Sequence, residues 1–329
     1  MRPPRSRRSV APVLIAAPAT LVLNERMIAD DLVEPFEIEP FQLRGRLVRL
    51  GRTLDSIVKR HDYPPAVGTV LGEAIALAVA LSSTLKYDGV FTLQTKGDGP
   101  IRLLVADVTT GGAVRGYAQY DPAKLAEVAA SGGAASVPRL LGAGYLAFTV
   151  DQGEDTERYQ GIVALEGATL AECVHHYFRQ SEQIAAGIKV AVDRDAEGAW
   201  RGGCLLVQKL PDGERSEFLG TREELEDGWR RALILMGSAT SQELTDPELA
   251  PEDLLFRLFH EDGVRVFRTH AVRAECRCSR ERIDRVLRSL PFEERQDLGE
   301  ADGSMTVTCQ FCNASYRFER ADVAAIATG

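Results

Sequence analysis

Two stretches decide how this chain is read: Ala274-Glu275-Cys276-Arg277-Cys278-Ser279 and Thr308-Cys309-Gln310-Phe311-Cys312-Asn313. The pattern is C-x-C, thirty intervening residues, then C-x-x-C. Two close thiol pairs brought together by a loop make a tetrahedral sulfur cage that suits one zinc ion. Two thiol pairs also suit redox chemistry, and two unrelated pairs are the bland alternative. C-x-x-C is a usual zinc half-site, whereas C-x-C is tighter and less common, so the combination is more specific than either part.

Working outward from the cysteines, Arg273, Arg277, Arg280, Arg282, Arg285 and Arg288 surround the first pair. Four thiolates on a divalent ion leave two uncompensated negative charges, and nearby cations favour the thiolate form. The same run also reads as a solvated helix face over 280–290. A third reading is a nucleic-acid surface. Oxidation turns thiolate into sulfenic acid and then disulfide, which is a poor ligand. The folding energy a structural zinc supplies, on the order of 10 kcal/mol in small zinc domains, is then lost. Close spacing favours bonds within each motif, Cys276–Cys278 and Cys309–Cys312. Cys173 and Cys204 stand alone in apolar surroundings and read as buried small hydrophobes.

The chain has 329 residues, 45% hydrophobic and 26% charged, with a net charge of −9. That supports a sizeable core and more than one folding unit. An acidic chain is a poor nucleic-acid binder, which needs basic surface to displace counterions. No apolar stretch is read as reaching membrane-spanning length. Residues 1–26 combine Arg2, Arg5, Arg7 and Arg8 with a short apolar run, as signal peptides do. Pro12 and Pro18 break that run, and a secretory fate would oxidise the cysteines. The segment reads as a disordered extension, or as sequence ahead of a start at Met27.

Residues 64–85 predict a long helix, with Val67, Leu71, Ala74, Ile75, Ala78 and Leu81 at helical spacing. Two β-prone runs, 90–95 and 101–106, flank Gly97-Asp98-Gly99-Pro100 and predict a hairpin. Strands are expected over 115–120, 145–151, 159–165, 188–192 and 204–210, and a helix over 169–181. Hairpins without regular βαβ alternation indicate an α+β class. From Thr221 the charges are dense and the apolar faces narrow. The division expected is an N-terminal α+β domain over 27–220, a metastable helical linker over 221–272 and a zinc-binding module over 273–329. The linker stretch reads equally as an ordinary helical hairpin in a fixed core.

No G-x-x-x-x-G-K-[ST], H-E-x-x-H or G-x-S-x-G occurs, and Gly142-Ala143-Gly144 is a turn rather than a dinucleotide motif. His175 and His176 lack companion ligands. A thiol-disulfide oxidoreductase would place its cysteines on a thioredoxin-like scaffold. These absences favour a binding function over catalysis.

Several ordered segments carry a resemblance: His61-Asp62-Tyr63-Pro64, Leu71-Gly72-Glu73, Leu85-Lys86-Tyr87-Asp88-Gly89, Gly97-Asp98-Gly99-Pro100, Arg115-Gly116-Tyr117, Arg158-Tyr159-Gln160-Gly161-Ile162-Val163 and Tyr177-Phe178-Arg179-Gln180-Ser181-Glu182-Gln183, with both cysteine motifs. Across 32–323 the chain resembles the bacterial 33 kDa chaperonins, the redox-regulated heat-shock holdases. It departs in residues 1–26 and at Ala185-Ala186-Gly187, where the family often has Pro and a hydroxyl residue. The resemblance implies a non-enzymatic, ATP-independent cytoplasmic chaperone. Its zinc would be held by Cys276, Cys278, Cys309 and Cys312 in a reduced, inactive monomer. Oxidation would form the two neighbouring disulfides, release zinc and unfold the linker. An oxidised dimer would then hold unfolding clients and pass them to ATP-dependent foldases. No nucleic acid or membrane partner is implied. The rival reading is a zinc-stabilised nucleic-acid binder using Arg273 to Arg288.

Overall fold

The computed structural model describes residues 30–132, 136–153, 158–182, 184–210, 221–291 and 298–328. The expected extension over 1–26 lies outside the described residues.

The fold is organised around α2 (Pro65–Ser82). Pro65 suits the first helical position because its missing N–H has no helical partner there. At the other end Ser83 and Thr84 turn their hydroxyls back to Ala80 O and Leu81 O at 2.7 and 2.8 Å. Apart from Thr69, Glu73 and its last residue, Ser82, the helix is apolar around its circumference, because it lies between two sheets. One sheet contains β1 (Leu32–Ile38), β2 (Leu43–Leu50), β8 (Ala186–Arg194) and β9 (Trp200–Lys209) in the order β1-β2-β9-β8. The other runs β5-β4-β3-β6-β7, from Ala113–Tyr120, Ile101–Thr109, Val90–Gly97, Gly144–Asp151 and Tyr159–Ala164. Every pairing among these strands is antiparallel, as the Gly97–Pro100 turn required of the β3–β4 hairpin. The α+β class follows.

The helix also corrects the reading of apolar length. Pro65–Ser82 has 18 residues and a mean hydropathy of 1.7, long and apolar enough to cross a membrane, but 78% of it is buried inside the protein. Sequence hydropathy cannot tell lipid from a core with sheets on both sides. Gly116 on β5 lets this packing close up: a Cβ there would meet Ile75 Cδ1 at 2.7 Å.

The first sheet is buried on both faces. Val33, Val48, Leu50, Cys204 and Leu206 point to the α2 side, whereas Phe36, Ile38, Leu43, Leu47, Leu205 and Val207 point away from it. This is the two-residue period of a strand, apolar on both sides. The outward set is covered by the stretch expected as a linker, through α6 (Arg222–Ser238), α7 (Ser241–Thr245) and α8 (Pro251–Phe259). Capping boxes at Thr221/Glu224 and Thr240/Glu243 start α6 and α7. Only Gly228, Ala232 and Met236 of α6 are buried, and Ile234 is 73% exposed. Helix α8 contributes more, with Leu254, Leu255, Leu258 and Phe259 against the sheet.

The same stretch then becomes strand. β10 (Val264–Val266) and β11 (His270–Ala271) pair antiparallel with β1. β12 (Arg273–Ala274) crosses to the other sheet and pairs parallel with β5. Beyond it the chain forms α9 (Arg280–Ser289), the hairpin β13–β14 (Met305–Thr308 and Ser315–Phe318) and a last helix, Arg320–Thr328. Among the described residues their shared core contains four buried apolar residues, Leu287, Met305, Phe318 and Ile326. A unit this small buries too little to hold itself and needs a cross-link, a metal or a neighbour.

Candidate metal centre and redox site

Backbone geometry places the sulfurs. Pairing of β12 with β5 ends in a bond from Glu275 N to Val114 O, 3.0 Å, so Cys276 emerges at the sheet edge. Ser279 caps α9 through Arg282 N, 3.2 Å, which turns the chain directly after Cys278. The other pair sits in the β13–β14 turn, closed by Cys309 N to Ala314 O at 2.9 Å and Asn313 N to Cys309 O at 2.8 Å. Asn313 takes the left-handed conformation there, φ 57°, one that Asn tolerates.

The four sulfurs all lie within 4.8 Å of one another. Cys276 Sγ is 3.7 Å from Cys309 Sγ, and Cys278 Sγ is 3.3 Å from Cys312 Sγ. A zinc tetrahedron with Zn–S near 2.3 Å sets its sulfurs roughly 3.8 Å apart, so the donor set fits. Each sulfur faces sulfurs of both motifs, and the half-buried cluster is within reach of solvent oxidants. Among the described residues these four are the group positioned to hold a metal ion.

The protons on the cluster are shared unevenly. Burial pulls the Cys276 thiol upward, but bonds from the Cys278 N–H, from neighbouring thiols and from Arg115 outweigh it and bring it down to about 7. Cys312 is pushed up to about 12, first by burial and then because its thiol proton is held by Cys278, Cys276 and Cys309. Burial also raises Cys309. Thiols this close resist becoming four thiolates together, so a full set of thiolates needs a cation in their midst. Tyr316 donates its hydroxyl to Cys278 Sγ at 3.2 Å, and holding that proton raises Tyr316 to about 12.

Three residues not singled out as site residues complete the surroundings. Arg115 on β5 reaches Cys276 Sγ at 4.0 Å, Asp107 on β4 pairs with both Arg115 and Arg277, and Tyr316 donates to Cys278. A signal existed for Arg115 and for His61, since the family-like segments 61–64 and 115–117 contain them. His61 Nε2 is 3.5 Å from Phe311 O. Nothing in sequence marked Asp107.

The arginine run is largely used internally. Arg273 pairs with Glu275, Arg277 with Asp107, Arg280 with Asp322 and Arg288 with Asp284. A phosphate-binding stripe needs free cations, and these four are engaged. His175 and His176 are on α5 (Leu170–Tyr177), outside any metal-holding group among the described residues. Cys173 and Cys204 are fully buried, and burial pushes their thiols to about 11 and about 12.

A family model described as Hsp33 protein matches residues 31–319. The chain belongs to the Hsp33 family. A 33 kDa chaperonin of Caulobacter vibrioides is 40% identical over 295 residues, spanning 89% of this chain and 96% of the relative. One from Pseudomonas fluorescens is 38% identical over 300 residues, spanning 91% and 94%. The crystal structure of the Hsp33 homologue from Thermotoga maritima superposes with a TM-score of 0.75, covering 91% of this chain and 98% of that one at 24% identity. That likeness shows a shared fold. Membership makes this chain a chaperone of the heat-shock class, with a cysteine cluster suited to metal binding and redox chemistry.

Proposed function

We propose that the protein is a redox-regulated, ATP-independent holdase whose off state is held by one zinc ion on Cys276, Cys278, Cys309 and Cys312. The observation carrying this reading is the cage itself: four sulfurs within 4.8 Å in a unit whose described residues include four buried apolar ones of its own. A bound zinc supplies a structural cross-link and stabilises the thiolates. Oxidation within each motif, to Cys276–Cys278 and Cys309–Cys312, takes two electrons per pair and removes the four donors together.

Loss of the cross-link leaves a core too small to stay folded, directly downstream of β10, β11 and β12. The layer α6–α8 then loses its anchor at one end and uncovers Phe36, Leu43, Leu47 and Leu205. Apolar surface of this kind retains unfolding clients without nucleotide. The reading includes cytoplasmic location, no enzymatic turnover, a reduced monomer, an oxidised dimer and transfer of clients to ATP-dependent foldases.

The test compares reduced, zinc-loaded protein with protein treated with peroxide under mild heat, reading light scattering of an aggregating reporter enzyme. Suppression by the treated sample alone is expected. Equal scattering with both samples overturns the reading.

A further inference from the structure

We propose that the cavity beyond the C-terminal end of α2 is a binding site for a free medium-chain carboxylic acid, with Arg44 receiving the carboxylate and an aromatic wall receiving the chain. The ligand is a small molecule rather than a client polypeptide, and the site lies apart from the sulfur cluster.

The cavity exists because α2 stops short. The helix fills the space between the sheets as far as Ser82, and Thr84 turns its hydroxyl back to Leu81 O. Past that point the two sheets enclose a cavity of about 220 Å³. Arg44 on β2 and Gln208 on β9 line it from one sheet, and Phe91 on β3 and Phe148 on β6 from the other. Tyr177 and Phe178, at the end of α5, complete the wall. All four rings are buried, whereas Leu85 and Tyr159, 44% and 51% exposed, stand at the mouth. A space of this size admits one short chain and excludes a folded segment of polypeptide.

The apolar wall is already formed. Phe148 lies 6.1 Å from Phe91 and 4.7 Å from Tyr177 between ring centroids. Gly161 on β7 lets Tyr177 lie against the strand, since a Cβ there would meet that ring at 2.4 Å. Tyr159 and Tyr177 join hydroxyls at 2.8 Å, which ties the mouth to the wall. A preformed apolar space with a few convergent polar groups is the usual form of a small-molecule site.

The charge stands on the opposite side. β2 turns Arg44 and Arg46 toward the end of α2. Arg46 is engaged, with Nε donating to Ser83 O at 3.3 Å and Nη1 to Gly45 O at 2.8 Å. It thereby serves the carbonyl end of the helix, where the dipole is negative. Arg44 lines the cavity, and among the described residues its Nε has no hydrogen-bond partner. An enclosed N–H without a partner carries a desolvation cost that an incoming oxygen removes. Burial, then repulsion from Arg44, lowers the Arg46 pKa, and Glu37 opposes them. An anion at Arg44 therefore also relieves a like-charge contact. A guanidinium takes a carboxylate through two parallel N–H bonds, and the rings bury the chain behind it. An inorganic anion would leave the aromatic wall uncovered, and a neutral hydrocarbon would leave Arg44 Nε unpaired.

The experiment titrates full-length, reduced, zinc-loaded protein with decanoate, octanoate and decanol by calorimetry. Decanoate should saturate at one per chain. Octanoate, shorter by two methylenes, should bind about ten-fold more weakly. Decanol, which keeps the chain and loses the charge, should also bind about ten-fold more weakly. In Arg44→Met, decanoate should fall to the level of decanol while decanol itself is unchanged, and Arg44→Lys should recover part of the difference. No saturable binding of decanoate to the parent overturns the proposal. So does an Arg44→Met variant that keeps the parent's preference for acid over alcohol. If that variant lowers the thermal midpoint of the unliganded chain, photolabelling of the parent decides. Decanoic acid with a diazirine at its far end should mark peptides covering 90–97, 144–151 and 170–178, and labelling confined to other segments overturns the proposal. Phosphatidylglycerol vesicles should not displace the acid. Displacement would make the ligand a membrane lipid and overturn the assignment to a free acid.

Discussion

Gly228 on α6 lies against the ring of Phe41 so closely that a Cβ there would sit 2.1 Å from Cγ. Glycine inside a helix costs about 1 kcal/mol relative to alanine, so its use here marks a close approach. Gly228→Ala should improve α6 as an isolated helix and yet loosen it in the protein. Overpacking of about 1–3 kcal/mol should speed hydrogen exchange over 222–238 by about ten-fold and lower the temperature at which peroxide activates the chain. Slower exchange in the variant would show that the ring yields and that this contact does not govern docking.

The rings of Phe36 and Phe259 stack at 5.7 Å between centroids, and both are fully buried. Phe259→Ala removes the α8 side of that contact at a cost of about 3–5 kcal/mol. The loss should fall on the covering layer first. Limited proteolysis should cut within 221–262 while the two sheets keep their thermal midpoint. Val67→Ala, inside α2, should lower that midpoint for the whole chain. Identical behaviour of the two variants would argue against a separable layer.

Glu34 is a carboxyl buried on β1, and among the described residues its Oε2 has no hydrogen-bond partner. Burial, reinforced by Glu252 on α8, pushes it up from 4.5 to about 7. The folded, covered form therefore holds its proton more tightly than the opened form. Docking of the layer should weaken as pH rises through about 4.5 to 7 and stay level above that. Glu34→Gln removes the ionisation while keeping the shape. At pH 8 its exchange over 246–259 should be slower than the parent's, and near pH 4 the two should agree. A pH 8 rate equal to the parent's would contradict this assignment.

Cys173 and Cys204 should behave unlike the other four. With thiols at about 11 and about 12 and no exposure, neither should take an alkylating reagent in the native chain. After chelation, Cys276, Cys278, Cys309 and Cys312 should label within minutes, as peptide mass spectrometry would record. Labelling of Cys204 before unfolding would require an opening that its burial denies.

The sequence made some elements plain and hid others for physical reasons. Helix α2 was readable from Val67, Leu71, Ala74 and Ile75, and the β3–β4 hairpin from Gly97-Asp98-Gly99-Pro100. Strands β1 and β2 were not, because Glu34, Pro35 and Glu37, then Arg44, Arg46 and Arg49, interrupt their apolar pattern. Arg49 is buried only because carbonyls of Asp246 and Leu249 receive its guanidinium once the covering layer is in place. β10, β11 and β12 have two or three residues each, too few for any period to register. The cluster of four cysteines was legible because the spacing of the two motifs alone points to it. Asp107 was not, since its partners at positions 115 and 277 meet only after two sheets and the module have assembled.

The central claim is that the sulfurs holding the ion are the sulfurs that switch the protein. Zinc per chain, disulfide-linked peptides and reporter aggregation should be followed together through one peroxide titration at mild heat. The account predicts that zinc falls from one per chain toward none as Cys276–Cys278 and Cys309–Cys312 peptides accumulate, with suppression rising in step. Suppression that appears while zinc stays at one per chain, or disulfides confined to other cysteines, would contradict it.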